Sequence, residues 1–333
     1  MLFNKVYVIA EMACSHDGSL GLAKKIIDGA GLAGADAIQL QIWSLGNVLA
    51  PSHAVYEIAK KIELTQGQWK ELVDYTRQKY PSMEILTCVY EHQSIPFIDS
   101  LGIDGYKLNS SDLSNPYVLD SVAATGKKIN LSIGASTLEE IKEAIERLRK
   151  KSQAKITLMY GYQNFPTTIS DIHLNYMMSL KELFKLPFGY QDHSDANTQS
   201  AFWIPALSVG MGVSSIEKHI THDRSLKGID HESALNPDEF KTFVTMVREL
   251  ESAKGKAESK PFSADELKYR KFQKKSIVAA RDLKAGTTLL EKDINFLRAA
   301  ELGLAPNQAK KILGKTIKQD ISIFHLIQED DIE

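Results

Sequence analysis

Eight short apolar or β-branched runs recur from one end of the chain to the other. They are KVYVIAEM (5–12), AIQLQIW (37–43), MEILTCVY (83–90), GYKLNS (105–110), KKINLSIG (127–134), AKITLMYG (154–161), PFGYQDH (187–193) and VSSIEKHI (213–220). Near-continuous apolar runs, as opposed to alternating ones, suit strands buried on both faces, and helical segments between them predict a parallel sheet. The helices announce their ends. Ser19 and Gly34 bracket a segment bearing Ile26 and Ile27, Thr65 with Gln68 forms a capping box, and Ser136 with Glu139 reads as another. Asn115-Pro116 and Asn236-Pro237 read as N-cap and first helical residue. Eight strands alternating with helices predict an α/β fold of the (β/α)8 TIM-barrel kind over residues 1–254. An open doubly wound sheet is the alternative, but no GxGxxG follows an early strand.

The pattern then breaks. Residues 255–275 are charged, lack apolar periodicity and contain Pro261, so they read as a linker with room for a short helix. Residues 276–333 read as a small β-rich domain with turns near Gly286 and Gly303. A core of that size is marginal, which favours packing against the barrel or a second chain.

Charge and cysteine usage narrow the function classes. A formal net charge of −2 gives no electrostatic case for nucleic acid or an anionic membrane. The apolar run at the N-terminus is too brief for a signal peptide or a bilayer span. Two cysteines, Cys14 and Cys88, exclude a four-cysteine zinc site and fit a reducing, cytoplasmic setting.

A barrel puts its chemistry at the C-terminal ends of its strands, and here those ends are polar. His193 and His219 end the last two runs, 219 − 193 = 26 residues apart with a helix between them. Parallel neighbouring strands would bring the two imidazoles together as an open site for a divalent ion such as Mn²⁺ or Mg²⁺. Two histidines satisfied by loop carbonyls are the plain alternative. Lys107 falls inside a strand, where it needs either an anionic ligand or a carboxylate such as Glu11. Ser110 and Ser132 stand near it at strand ends, and Glu11 and Asp112 are candidates for acid/base work. Asp230, in the KGIDHES segment after run eight, can close over the site or be a solvated loop residue.

These residues resemble a known family. IAEMACSHDGSLGLAKKIIDGAGLAGADAIQLQ is similar to the opening of the sialic acid synthases, I-A-E-x-x-x-N-H-x-G-S followed by A-G-A-D. GYKLNSSDLSNP, GYQDHS and IEKHITHDRSLKGIDH resemble later motifs of that family, in the right order, and the tail resembles its antifreeze-like (SAF) domain. The resemblance implies a metal-dependent condensation of phosphoenolpyruvate with an acetamido or diacetamido sugar, giving a nine-carbon 2-keto acid and phosphate. It implies that His193 and His219 hold the metal, that Lys107, Ser110 and Ser132 hold phosphoenolpyruvate, and that Glu11, Glu217 and Asp230 are sugar- or metal-side acids. Asp112 stands where the family has a proton-handling Glu, so Glu11, Asp112 and Glu217 form the implied catalytic set. Arg298 matches a tail-domain Arg that reaches the sugar across a domain-swapped homodimer.

Several positions depart from the family pattern. Gln39 replaces a Lys, Gln191 a Ser, Gln163 an Asn and Cys88 a Thr, while Ala299 follows Arg298 in place of Pro. Gln39, Gln163 and Gln191 still stand where substrate would bind, but one strand-end cation is gone, which weakens the grip on a phosphate. Two other readings therefore stay open. One is a relative of the same fold acting as an aldolase or lyase on a keto sugar acid; the other is a non-catalytic sugar-binding protein.

Overall fold

The structure, a computed structural model, describes residues 5–333. The chain divides into two compact units, the first ending at Gly255 and the second spanning Lys256–Glu333.

In the first unit all eight predicted runs are strands: β1 Tyr7–Glu11, β2 Ala37–Gln41, β3 Glu84–Val89, β4 Gly105–Leu108, β5 Lys128–Ser132, β6 Ile156–Tyr160, β7 Phe188–Asp192 and β8 Ser215–His219. Each pairs in parallel with its sequence neighbour, and β8 pairs with β1, so the sheet closes into a barrel. The open-sheet alternative is thereby excluded.

Alternation along each strand sorts the side chains. Val8, Ala10, Ile38, Leu40 and Ile216 point outward into the main core with Ile26 and Ile27 of the first helix. Burying each of these Val, Ile and Leu side chains contributes about 1.5–3 kcal/mol. Ile9, Ala37, Leu86 and Met159 form a separate apolar layer inside the barrel. Gly161 closes the barrel at β6 and β7. A Cβ there would lie 2.7 Å from the Gln191 carbonyl oxygen, so only glycine lets these backbones approach.

The helix ends follow the capping signals with one correction. Ser19 accepts from the Leu22 N–H, and Gly34 ends that helix in the left-handed region at φ 80°. Thr65 with Gln68 forms a capping box, and at Asn236 the Glu239 carboxylate accepts from the N-cap N–H at 2.8 Å. After β5, however, the box is Thr137 with Glu140, one residue beyond the expected Ser136–Glu139 pair. Ser136 instead donates to the Gly134 carbonyl oxygen and tightens the turn.

Asp192 and Lys218 also obey the alternation. Both are fully buried on the outer face of the sheet, where Lys218 Nζ lies 2.6 Å from Asp192 Oδ2. Tyr190 and Ser194 donate to the same carboxylate. A buried ion pair supplied with further hydrogen bonds is tolerable, whereas either partner alone would not be.

Between β2 and the helix Gln66–Lys79 runs a long insertion, residues 42–65, carrying two short helices, Leu45–Val48 and Tyr56–Ile62. In the second unit, a helix occupies Ala264–Gln273 behind a Ser263–Glu266 capping box. Strands β9 Ser276–Ala279 and β10 Ile294–Leu297 then pair antiparallel. Ile277, Leu283, Leu289, Ile317 and Ile327 make that unit's own core.

Candidate functional site

At the C-terminal mouth of the barrel the interior turns from apolar to charged. Glu11 from β1, Gln39 from β2, Lys107 from β4, Ser132 from β5, Gln191 from β7 and Glu217 from β8 are all buried there. Lys107 reaches across the barrel. Its Nζ is 2.5 Å from Glu217 Oε1 and 3.7 Å from Glu11 Oε2. The sequence pointed to Glu11 as its carboxylate partner; the closer one is Glu217. Gln39 donates to both acids, at 3.1 Å to Glu217 Oε2. Gln191 donates to Glu217 Oε1 at 3.0 Å and accepts from Ser132 Oγ at 2.8 Å. Gln39 therefore ties the two carboxylates together, and Gln191 links Glu217 to Ser132.

The two acids differ in environment. Burial opposes charge on both. For Glu217 the adjacent Lys107 outweighs burial and holds the carboxyl below the usual range. For Glu11 burial wins over the more distant Lys107, with repulsion from Glu217 added, and the carboxyl is pushed up to about 7. A pair of carboxyls driven apart by their surroundings can divide acid and base roles. Glu11 is further fixed by the Ala13 N–H at 2.7 Å and Gln41 Nε2 at 3.2 Å.

His193 and His219 stand at the rim of the same cluster, ring centroids 5.3 Å apart. Ligand atoms of His193, Glu217 and His219 all lie within 4.8 Å of one another. His193 Nδ1 donates to the Tyr162 carbonyl oxygen at 2.8 Å, which fixes its tautomer and leaves Nε2 as the lone-pair nitrogen. His219 Nδ1 is buried without a partner among the described residues. Burial lowers both imidazoles below their ordinary range, with mutual repulsion adding to it at His219, so both are neutral at pH 7. Neutral imidazoles beside a carboxylate, His193 fixed in its tautomer and His219 with an orphaned buried nitrogen, fit a divalent cation. The loop-carbonyl alternative accounts for one nitrogen of His193 and leaves His219 unexplained.

Phe165 escaped the sequence analysis. Its ring centroid lies 4.3 Å from that of His193 and 5.8 Å from that of His219, so it covers the histidine pair. Its only signal was its place in the loop after β6, two residues beyond Gln163.

The remaining predicted residues are more dispersed. Asp230, in the left-handed region at φ 62°, accepts from the Cys14 N–H at 3.2 Å and so joins the end of β1; burial raises its carboxyl. Asp112 sits in the turn after β4, held by Ser111 and Asn115, and its hydrogen bonds among the described residues do not reach the cluster. Ser110 opens that turn. Gln163 follows β6, with Nε2 2.6 Å from where a Gly134 Cβ would stand. Arg298 is exposed, just after β10 in the second unit. The cysteines are unpaired, and burial pushes both thiols up, Cys88 to about 12. Neither is a nucleophile at neutral pH. Among the described residues no helix is long and apolar enough to cross a membrane.

Known proteins resemble this chain over most of its length. The N,N'-diacetyllegionaminic acid synthase of Legionella pneumophila is 31% identical over 98% of this chain and 94% of its own length. The pseudaminic acid synthase of Campylobacter jejuni is 29% identical over 99% of this chain and 97% of its own. The N-acetylneuraminic acid synthetase of Leptospira borgpetersenii, solved with citrate, superposes with a TM-score of 0.73 at 28% identity, over 80% of this chain and 92% of that one. Residues 26–259 match the NeuB family and residues 274–333 the SAF domain. The resemblance carried by the motifs is thus borne out: the chain belongs to the NeuB family and ends in a SAF domain.

Proposed function

We propose that this protein condenses phosphoenolpyruvate with the aldehyde of an N-acylated amino sugar, releasing phosphate and a nine-carbon 2-keto acid. The observation that carries the reading is the cluster itself: a metal-ready His193–Glu217–His219 group beside a Lys107–Glu217–Glu11 array, in a family whose relatives bear synthase names.

His193, His219 and Glu217 would hold a divalent ion, Mn²⁺ or Mg²⁺, which when bound supplies Lewis acidity to an aldehyde oxygen. The chain's own residues do the rest. Lys107 with Ser110, just beyond the end of the same strand, and Ser132 on the next strand orients the anionic donor so that its alkene carbon faces the aldehyde. The new C–C bond joins those two carbons. Water adds at C2 of the donor; the new C2 hydroxyl becomes the ketone as the C2–O bond to phosphate breaks, its proton leaving with the phosphate, and the water's other proton goes to the former aldehyde oxygen. Glu11, its carboxyl near 7, exchanges that proton from its seat beside Gln39 and Gln41. Asp112, Asp230, Gln163 and, from the second unit of a swapped partner chain, Arg298 complete the substrate contacts in this reading.

One observation favours the aldolase alternative. Lys107 is already shared between two carboxylates, and the amides of Gln39 and Gln191 are spent on the same acids. A cluster so compensated offers less to a phosphate than to a monocarboxylate such as pyruvate. Phosphate release separates the two. With Mn²⁺ and a panel of acylamino sugars, the synthase yields one phosphate from phosphoenolpyruvate per sugar consumed. Sugar consumption with pyruvate and no phosphate would replace the synthase reading with the aldolase one.

A further inference from the structure

The insertion after β2 is longer than a βα connection needs, and loops of this length commonly serve binding. Trp43, Val48, Leu49, Val55 and Ile58 turn apolar side chains into a cavity of about 370 Å³. Val55 and Ile58 are 44% and 49% exposed, so the barrel core does not account for them. A contiguous apolar wall of this kind marks a binding surface. Its rim is polar and leads directly to the cluster. Gln41 lines the cavity and donates to Glu11 at 3.2 Å, and Asp230 lines it while accepting from Cys14.

We infer that this cavity seats the acyl chain of an acylamino group on the acceptor sugar, with the amide at the Gln41–Asp230 rim, and that it admits chains longer than acetyl. The inference rests on reading the site as sugar-accepting. Among the described residues no lysine or arginine lines the cavity and Asp230 is its one charged wall, so an anionic substituent is disfavoured. A hydroxyl at its floor would meet mostly carbon and lose its hydrogen bonds. An amide N–H instead meets the oxygens of Gln41 and Asp230, while the acyl carbons meet Val48, Val55 and Ile58. At about 30 Å³ per heavy atom an acetyl group takes roughly 90 Å³, a fraction of the 370 Å³ present.

The test is calorimetric binding to the full chain with Mn²⁺ and no donor. The probes are N-acetyl-, N-propanoyl-, N-butanoyl- and N-pentanoylmannosamine and the matching 2,4-bis(acylamino)-2,4,6-trideoxyhexoses. Kd is expected to fall about fourfold per added methylene in at least one sugar series. In Ile58→Asp, read with its melting temperature as a check on folding, that dependence should disappear. Sugars that bind with a Kd flat or rising along the chain would overturn the inference and leave the synthase reading standing. A slope that survives Ile58→Asp would move the acyl chain elsewhere and also overturn it. No binding of any sugar would overturn both.

Discussion

Replacing Glu11 by Gln should stabilise the metal-free protein at high pH and do much less at low pH. Glu11 is fully buried, and its carboxyl titrates near 7 in the folded chain against an ordinary value of 4.5. The folded state therefore holds a proton that the unfolded state has lost between those two values, and stability falls as pH rises through that window. From the two values, keeping Glu11 buried costs the fold about 1 kcal/mol at pH 5 and about 3 kcal/mol at pH 8. The amide that replaces the carboxyl does not titrate, so the advantage of Glu11→Gln should grow by about 2–3 kcal/mol between the two conditions. For a domain of this size that is about 5–10 °C in melting temperature. Thermal melts of chelator-treated parent and variant at pH 5 and pH 8 read this directly. Comparing the two pH values cancels what the amide changes in packing and hydrogen bonding. An equal shift at both would show that Glu11 is not held protonated by its surroundings, and the acid/base division between Glu11 and Glu217 would fall with it.

Three further perturbations probe separate parts of the account. Asp192→Asn strands the Lys218 charge on the outer face of the sheet and should cost about 3–5 kcal/mol in denaturant titrations; a loss under about 1 kcal/mol would show that Lys218 finds another partner. Lys107→Ala should raise the KM for phosphoenolpyruvate far more than that for the sugar, and equal effects would reject its role toward the donor. Arg298→Ala should raise the sugar KM with little change in melting temperature; a variant kinetically identical to the parent would remove the second unit from the acceptor site.

The barrel was legible because each strand is a short apolar run and several of the helices between them carry their own caps. The polar mouth was legible for the same reason, since runs ending in QDH or EKH place polar residues where a barrel opens. Period-two alternation also says which of them face inward: Gln191 and His193 lie two apart, as do Glu217 and His219, while Asp192 and Lys218 fall on the opposite face. What the chain order could not give is distance across the barrel. Lys107 and Glu217 are 110 residues apart in sequence and 2.5 Å apart in space, so proximity within the mouth had to be seen. The Ser136 cap missed by one residue because Ser136 and Thr137 are both competent, and the turn after β5 decides between them. Of the short helices after β2, Leu45–Val48 is a single turn and Tyr56–Ile62 only two, its helical spacing of Val55, Ile58, Ala59 and Ile62 too short to stand out, and Phe165 sits in a loop, where pattern carries no direction. The helix Ala264–Gln273 did have a signal in Ser263 and Glu266, inside a stretch read mainly as linker.

The most direct test of the central claim follows turnover and bound metal together. Parent protein stripped with chelator is titrated with Mn²⁺, phosphate release is measured with phosphoenolpyruvate and an accepted acylamino sugar, and bound Mn²⁺ is counted in the same samples. His219→Ala is carried alongside. The account predicts that activity in the parent rises in proportion to one bound ion per chain. His219→Ala should stay folded with neither tight Mn²⁺ binding nor turnover. Full turnover in the stripped parent, or Mn²⁺-dependent turnover preserved in His219→Ala, would contradict it.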